Sequence, residues 1–328
     1  MYKRQVVEVA RNTAVLNADD ALCLKMADYT QAEHVCYVTM DPTHPLVKAH
    51  IEAAGRAVVL EQGITGHMVT IYDGGSHIPL LFTTQIPATL DGRAMHNVQN
   101  AMFAAAMAYS MEVTLDDIRH GLQTFDSSYF QVPGRMNICD DHPFKVILDY
   151  GHNPAAVRTM VELAERLAPD GRRIGVLASP GDRRDEDMLE IGRAAAGRLH
   201  TYICRDDDNL RDREPGEAAG IIRRGLREAG VDDGAIELVL DEQEAVRAAL
   251  ERAEPGELVL VFGDAIGRCW QQIVEFDSGA DTPRNARAAT DALPEPAVLP
   301  TALDTAIDLE GELIRDERGV RLARERDD

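Results

Sequence analysis

Between Phe144 and Val274 short apolar runs alternate with longer amphipathic stretches, and that alternation leaves few architectures open. Val146–Asp149, Ile174–Ala178, Thr201–Cys204, Ile236–Leu240 and Leu258–Phe262 are expected as strands. Each run is too short for a helix and is bounded by polar or turn-forming residues. Helices are expected at Ala155–Leu167, Glu186–Leu199, Glu217–Ala229, Glu242–Arg252 and Ile266–Val274. In the first of these, Val157, Met160, Val161, Leu163, Ala164 and Leu167 recur at helical spacing. Strands alternating with helices of this length build a mostly parallel, doubly wound α/β sheet.

Sheets of this kind bind ligands beyond the carboxyl ends of their strands. Four polar loops fall there. The first, Asp149-Tyr150-Gly151-His152-Asn153-Pro154, is also an ordinary strand–turn–helix, with Asn153 placed as N-cap and Pro154 at the first helical position. The second, Ser179 to Asp187, contains Asp182, Arg183 and Arg184; arginines there can clamp phosphate or carboxylate, or simply salt-bridge a helix start. The third runs from Arg205 to Glu214. Its carboxylates Asp206, Asp207 and Asp208 repel one another unless a cation sits among them. A guanidinium or ammonium substrate is one such cation, and a solvated charge run is the competing reading. The fourth, Gly263 to Arg268, is a glycine-containing turn into a helix.

Before this region α and β segments mix. Thr13–Asn17, His34–Met40, Arg56–Leu60, His67–Tyr72 and His77–Thr84 are strand-like, and Asp73-Gly74-Gly75-Ser76 is a hairpin signal. Gln5–Val9 reads as leading directly into a strand and turn. His96-Asn97-Val98-Gln99-Asn100 opens a helix with polar side chains one turn apart, which suits either capping or contact with a base or ribose. Arg135 follows Pro133-Gly134 just before a domain junction expected near 136–143. Residues from Ser278 onward, rich in Ala, Pro, Asp, Glu and Arg, are expected to be a linker and a weakly ordered tail.

Composition narrows the partners. The 328 residues hold 56 acidic against 34 basic side chains, a net charge of −22. Such a surface repels nucleic acid and anionic membranes. Cys23, Cys36, Cys139, Cys204 and Cys269 are odd in number and lack C-x-x-C spacing, which fits a reducing cytoplasm and no structural zinc.

Taken together, the motifs resemble those of the Mur ligase superfamily. His96-Asn97-Val98-Gln99-Asn100, Gly134-Arg135-Met136 and Asp149 to Pro154 are similar to its HNxxN, GR and D-x-x-H-N-P motifs, and Asn17-Ala18-Asp19-Asp20 to its NADD turn. Within the superfamily, Gly175 to Asp187, Asp206 to Asp208, and Val261 to Asp264 with Arg268-Cys269-Trp270 resemble the cyanophycin synthetase branch. The resemblance implies an incomplete central domain over 1–136, a Rossmann-like amino-acid-binding domain over 137–277, and a tail over 278–328. It also implies a ligase that uses ATP and Mg²⁺ to make an acyl phosphate, which arginine then attacks on a polyaspartate primer. On that likeness Asn97, Asn100, Arg135 and Asp149 hold the nucleotide, and His152 and Asn153 lie near the phosphates and the incoming amino acid. Asp182, Arg183, Asp206, Asp207, Asp208, Asn209 and Arg211 form the amino-acid pocket, and homo-oligomers are expected. Other Mur-type ligases, of the folylpolyglutamate or muramoyl-peptide type, and a non-catalytic binding subunit are the alternatives. The family's G-x-x-x-x-G-K-[ST] loop is not found in these residues, so the chain is expected to be the carboxy-terminal part of a longer enzyme and inactive alone.

Overall fold

The computed structural model describes residues 3–64, 66–278 and 313–322, and in it the chain separates into two units, each built on its own sheet. The first unit runs to Asp126 and takes in a carboxy-terminal hairpin. Its elements are α1 (Arg4–Glu8), β1 (Thr13–Asn17), α2 (Ala21–Met26), β2 (His34–Thr39), α3 (Pro45–Glu52), β3 (Arg56–Gly63), β4 (Gly66–Asp73), β5 (Ser76–Phe82), α4 (Met95–Ser110) and α5 (Leu115–Thr124). The sheet order is β1-β2-β3-β4-β5, with the first three strands parallel and the last two added antiparallel. Alternate side chains serve opposite faces, as the strand period of two requires. Cys36, Val38, Val58 and Leu60 pack on Val98, Met102, Ala105 and Ile118 of α4 and α5. Val35, Tyr37, Ala57 and Val59 pack on Leu24, Leu46 and Val47 of α2 and α3.

The second unit, from Ser127, contains β6 (Asn137–Cys139), β7 (Lys145–Asp149), α6 (Pro154–Leu167), β8 (Arg173–Leu177), α7 (Asp185–Ala195), β9 (Thr201–Cys204), α8 (Glu217–Glu228), β10 (Ile236–Leu238), α9 (Glu242–Arg252), β11 (Leu258–Phe262) and α10 (Ile266–Glu275). Its six-stranded sheet has the order β10-β9-β8-β11-β7-β6 and is parallel except for β6. Val146, Leu148, Val176, Ile203, Val259 and Val261 pack on Ala245, Val246, Cys269 and Ile273 of α9 and α10. The expected doubly wound architecture is present, and its strands are continuous apolar runs because both faces are covered.

Three expectations change. The unit starts at Ser127, ahead of the junction expected near 136–143, because Asn137 reaches back to Ser127 and Val132: its Nδ2 donates to both carbonyls at 2.9 Å. Residues Arg4–Glu8 form a helix rather than leading into a strand, braced by an Arg4–Glu8 ion pair at 2.7 Å. Within the stretch expected as a tail, β12 (Leu313–Asp316) and β13 (Gly319–Leu322) form an antiparallel hairpin packed on the first unit; residues 279–312 and 323–328 lie outside the described residues.

That hairpin is held by a buried histidine. His50 of α3 has Nε2 3.1 Å from the Val35 carbonyl, and its Nδ1 accepts the Val320 N–H at 3.0 Å. Both bonds are satisfied by the neutral ring protonated on Nε2. Gly319 lies against the ring at φ +106, where an added Cβ would come within 2.3 Å of the imidazole. Leu322 joins the apolar cluster of α2 and α3, Arg321 pairs with Asp28, and Arg318 donates to the Thr30 carbonyl at 2.8 Å.

Burial holds the His50 pKa below its ordinary 6.5. Between the folded and unfolded values the unfolded chain binds more protons, so the stability contributed is present above pH 6.5 and lost as pH falls below it. Deleting residues 313–328 should therefore do two things. Losing buried Val320 and Leu322 should lower the unfolding free energy of the first unit by about 3 kcal/mol or more. Opening His50 to solvent should also remove the acid sensitivity. Hydrogen exchange of the β1–β3 amides checks both; protection that is unchanged by the deletion contradicts the packing described.

Candidate functional site

The carboxyl ends of β7, β8, β9 and β11 open onto one crevice, lined by Tyr150, Gly151, His152, Ala178, Pro180, Arg205, Asp207, Phe262, Gly263 and Asp264. All four loops expected to converge contribute to it. After β7, Asn153 caps α6 by accepting the Ala156 N–H at 2.9 Å, and Pro154 takes the first helical position. Asp149 is buried, with its oxygens accepting the Met136 N–H at 2.9 Å and the Gly151 N–H at 2.7 Å. Burial pushes its carboxyl up, against the pull of those two N–H groups and Arg135. The Arg135 guanidinium lies 5.6 Å from the Tyr150 ring centroid. His152 Nδ1 is 3.0 Å from the Tyr150 carbonyl, which makes Nδ1 the donor there; in the neutral ring Nε2 then carries the lone pair.

The second and third loops are stapled together. Gly181 can only be glycine here, since an added Cβ would fall 2.2 Å from the Leu210 carbonyl oxygen. Arg213 donates to the carbonyls of Gly181 at 2.7 Å and Arg183 at 2.8 Å, and pairs with Asp185 at 2.8 Å and Glu217 at 2.6 Å. Asp182 pairs with Arg211 at 2.5 Å, while Asn209 Oδ1 accepts the Arg211 N–H at 3.1 Å. Arg211 and Asp212 both stand at positive φ, +49° and +69°, a conformation other contacts must hold. The Arg183 side chain is exposed.

The acidic triplet is divided among three tasks. Asp206 caps α8, accepting the N–H groups of Gly216 at 2.5 Å and Ala219 at 3.0 Å. Asp207 receives Arg205 at 3.2 Å, and Asp208 receives Arg268 at 2.5 Å. The cation that three adjacent carboxylates demand is thus supplied by the chain itself. Burial pushes the Asp207 carboxyl up; Arg205 opposes this, while Asp264 and Glu242 reinforce it.

Beneath the crevice lies a group the sequence did not single out. Glu242, fully buried at the first position of α9, pairs with Arg205 at 2.8 Å and Arg268 at 2.9 Å and accepts the Asp264 N–H at 2.7 Å. Burial alone would raise its carboxyl; Arg205, the Asp264 N–H and Arg268 outweigh it and hold it below the usual range. Arg205, equally buried, also donates to the carbonyls of Asp206 at 2.7 Å and Phe262 at 2.9 Å. In sequence, Asp241-Glu242 shows only an acidic helix start, indistinguishable from dipole compensation.

Asn97 and Asn100 belong to the first unit. Asn97 donates to the Ala88 carbonyl at 2.8 Å and accepts from Asn100 Nδ2 at 3.1 Å, so it ties α4 to the preceding turn. Among the described residues no group of three or more His, Cys, Asp or Glu side chains could hold a metal ion. Among them, too, no helix is long and apolar enough to cross a membrane.

Residues 134–265 match the family model described as Mur ligase, glutamate ligase domain. Over 260 residues the chain is 36% identical to a cyanophycin synthetase of Synechocystis sp., covering 79% of this chain and 29% of the relative. It is 36% identical to the cyanophycin synthetase of Trichormus variabilis over 255 residues, 78% of this chain and 28% of that one. A UDP-N-acetylmuramoyl-L-alanyl-D-glutamate–2,6-diaminopimelate ligase of Corynebacterium efficiens is 31% identical over 214 residues, 64% of this chain and 38% of the relative. The chain therefore spans less than a third of the length of these two synthetases. The fold is shared with a murein peptide ligase from Psychrobacter arcticus, at TM-score 0.56 and 14% identity, over 83% of this chain and 53% of that one. It is shared also with a bifunctional folylpolyglutamate synthase/dihydrofolate synthase from Yersinia pestis, at TM-score 0.54 and 21% identity, over 83% and 55%.

Asp206 and Asp208 test the division of labour. Asp206→Ala should cost about 1 kcal/mol for a lost helix cap. Asp208→Ala, which breaks a half-exposed pair, should cost between about 0 and 1 kcal/mol. Urea unfolding followed by fluorescence of the single tryptophan, Trp270, should place Asp206→Ala below Asp208→Ala; the reverse order contradicts the assignment.

Proposed function

We propose, for a chain that belongs to the Mur ligase superfamily, that it is the amino-acid-receiving part of an ATP-dependent acid–amino-acid ligase of the cyanophycin synthetase type, adding arginine to the β-carboxyl of an aspartate backbone. The observation that carries this reading is the convergence of four strand-end loops on one crevice, inside the matched domain and lined by His152, Asp207 and Asp264.

The crevice chemistry suits an amine that must attack an activated carboxyl. An incoming ammonium has to lose a proton before its nitrogen is nucleophilic. His152, held through Nδ1 on the Tyr150 carbonyl, offers Nε2 as the acceptor for that proton. The carboxylates of Asp207 and Asp264 favour the cationic amino acid and disfavour free glutamate. Asn153 acts by fixing the start of α6, and Asp149 by holding the Tyr150–Gly151 turn under His152. Arg135 and Asp149 remain the second unit's candidates for nucleotide contact, Asn97 and Asn100 the first unit's. Asp182, Arg183, Asn209 and Arg211 form the outer wall of the amino-acid site.

ATP and Mg²⁺ are handled differently. The 328 residues contain no phosphate-gripping G-x-x-x-x-G-K-[ST] sequence, and the described residues hold no metal-ligand cluster. These residues alone do not fit the nucleotide–metal complex. The chain by itself should be inactive.

A diaminopimelate- or glutamate-adding specificity is the second reading, favoured by the 31% identity to the Corynebacterium ligase. Calorimetric titration separates the two. Arginine is expected to bind the intact chain, with meso-diaminopimelate and glutamate weaker by about tenfold or more, the scale of one hydrogen-bonded charge partner. Preference for glutamate or diaminopimelate would contradict the arginine reading, and ATP-dependent primer extension by this chain alone would contradict its inactivity.

A further inference from the structure

The crevice has a charge imbalance that its hydrogen bonds expose. Among the described residues, Asp207, Asp264 and Arg205 line the crevice, and the ion pairs behind it add Glu242, Asp208 and Arg268, a group of four carboxylates and two guanidiniums with an excess of two negative charges. The distribution is uneven. Both guanidiniums pair with the fully buried carboxylate of Glu242, which also accepts the N–H of Asp264 and so fixes the turn that carries it. Arg268 also pairs with the half-exposed Asp208 at 2.5 Å. Asp264 is left lining the crevice with a carboxylate that makes no hydrogen bond or ion pair among the described residues. Asp207 beside it uses one oxygen for Arg205. A second mark lies behind them: the buried Arg205 Nε has no hydrogen-bond partner among the described residues, although Arg205 lines the crevice. Buried polar atoms are normally satisfied, so this N–H calls for an acceptor that enters the crevice, water or a ligand oxygen.

We propose that Glu242 is the positioning residue of this crevice and Asp264 its specificity-determining residue. Glu242 sequesters Arg205 and Arg268 so that Asp264, with Asp207, receives the cationic head of the incoming amino acid. The inference rests on the reading of the crevice as an amino-acid site and assigns its selectivity to two residues outside the Asp206–Arg211 segment. Without the Glu242 charge the two guanidiniums turn to Asp207 and Asp264, and the crevice loses its preference for a cation.

The test compares arginine with citrulline, its neutral near-isostere, by calorimetry on the full chain. The intact chain should favour arginine by about tenfold or more, and Asp264→Asn should bring the ratio close to one with an unchanged melting temperature. Glu242→Gln should also collapse the ratio, and Glu242→Asp should partly restore it. Loss of a buried charge partner can unfold a domain, so Asp264→Asn, at a part-exposed position, decides the matter if Glu242→Gln fails to fold. Arginine binding by the intact chain with a ratio unmoved by Asp264→Asn overturns this inference alone. If the intact chain binds neither arginine nor citrulline, the amino-acid site itself is overturned, and this assignment with it.

Discussion

The crevice of the second unit depends on one buried ion pair, Arg205 with Glu242 at 2.8 Å. Removing two charges from water costs several kcal/mol for each, and the attraction between them offsets this only where the remaining hydrogen-bonding capacity is met. That condition is largely fulfilled. Glu242 takes a second guanidinium and a backbone N–H, and Arg205 spreads over two carbonyls and Asp207. The pair joins the end of β9, the start of α9 and the turn after β11, so three of the sheet's loops share one electrostatic anchor. Apolar replacements of similar volume could hold the fold as well; they could not distribute charge around the crevice. For that reason the pair is better understood as part of the site than as a source of stability.

The same economy governs the polar groups around it. Asp149, Asn153 and Asp206 each spend their oxygens on backbone N–H groups at turns and helix starts. Such carboxylates and amides shape a site without needing to touch what binds there. In the first unit His50 has an equivalent part: its two ring nitrogens join β2 to β13, so a segment distant in sequence becomes part of the core around α2 and α3.

How much of this was legible follows from the range of each interaction. The apolar runs and amphipathic stretches announced the second unit's strands and helices, and the cap at Asn153 could be named because capping acts over three residues. The four loops could be placed at strand ends by topology alone. The division of the acidic triplet could not, because Asp208 meets Arg268 across 60 positions and Asp206 meets the start of α8 through a long loop. Nor could the hairpin at 313–322, whose anchor on His50 spans 270 positions. Its own sequence is short, charged and only weakly alternating, and a lone two-stranded hairpin is marginal in water, so nothing local shows that it folds. Glu242 is hidden in the sequence for a different reason: an acidic residue at a helix start is ordinary, and only its burial makes it unusual.

The central claim is that a cationic amino acid enters the crevice between His152, Asp207 and Asp264. A crystal structure of the intact chain grown with arginine tests this most directly. The account predicts the guanidinium within hydrogen-bonding distance of Asp264 and the α-amine on the His152 side. Arginine bound against the first unit, with the crevice holding only water, would contradict it.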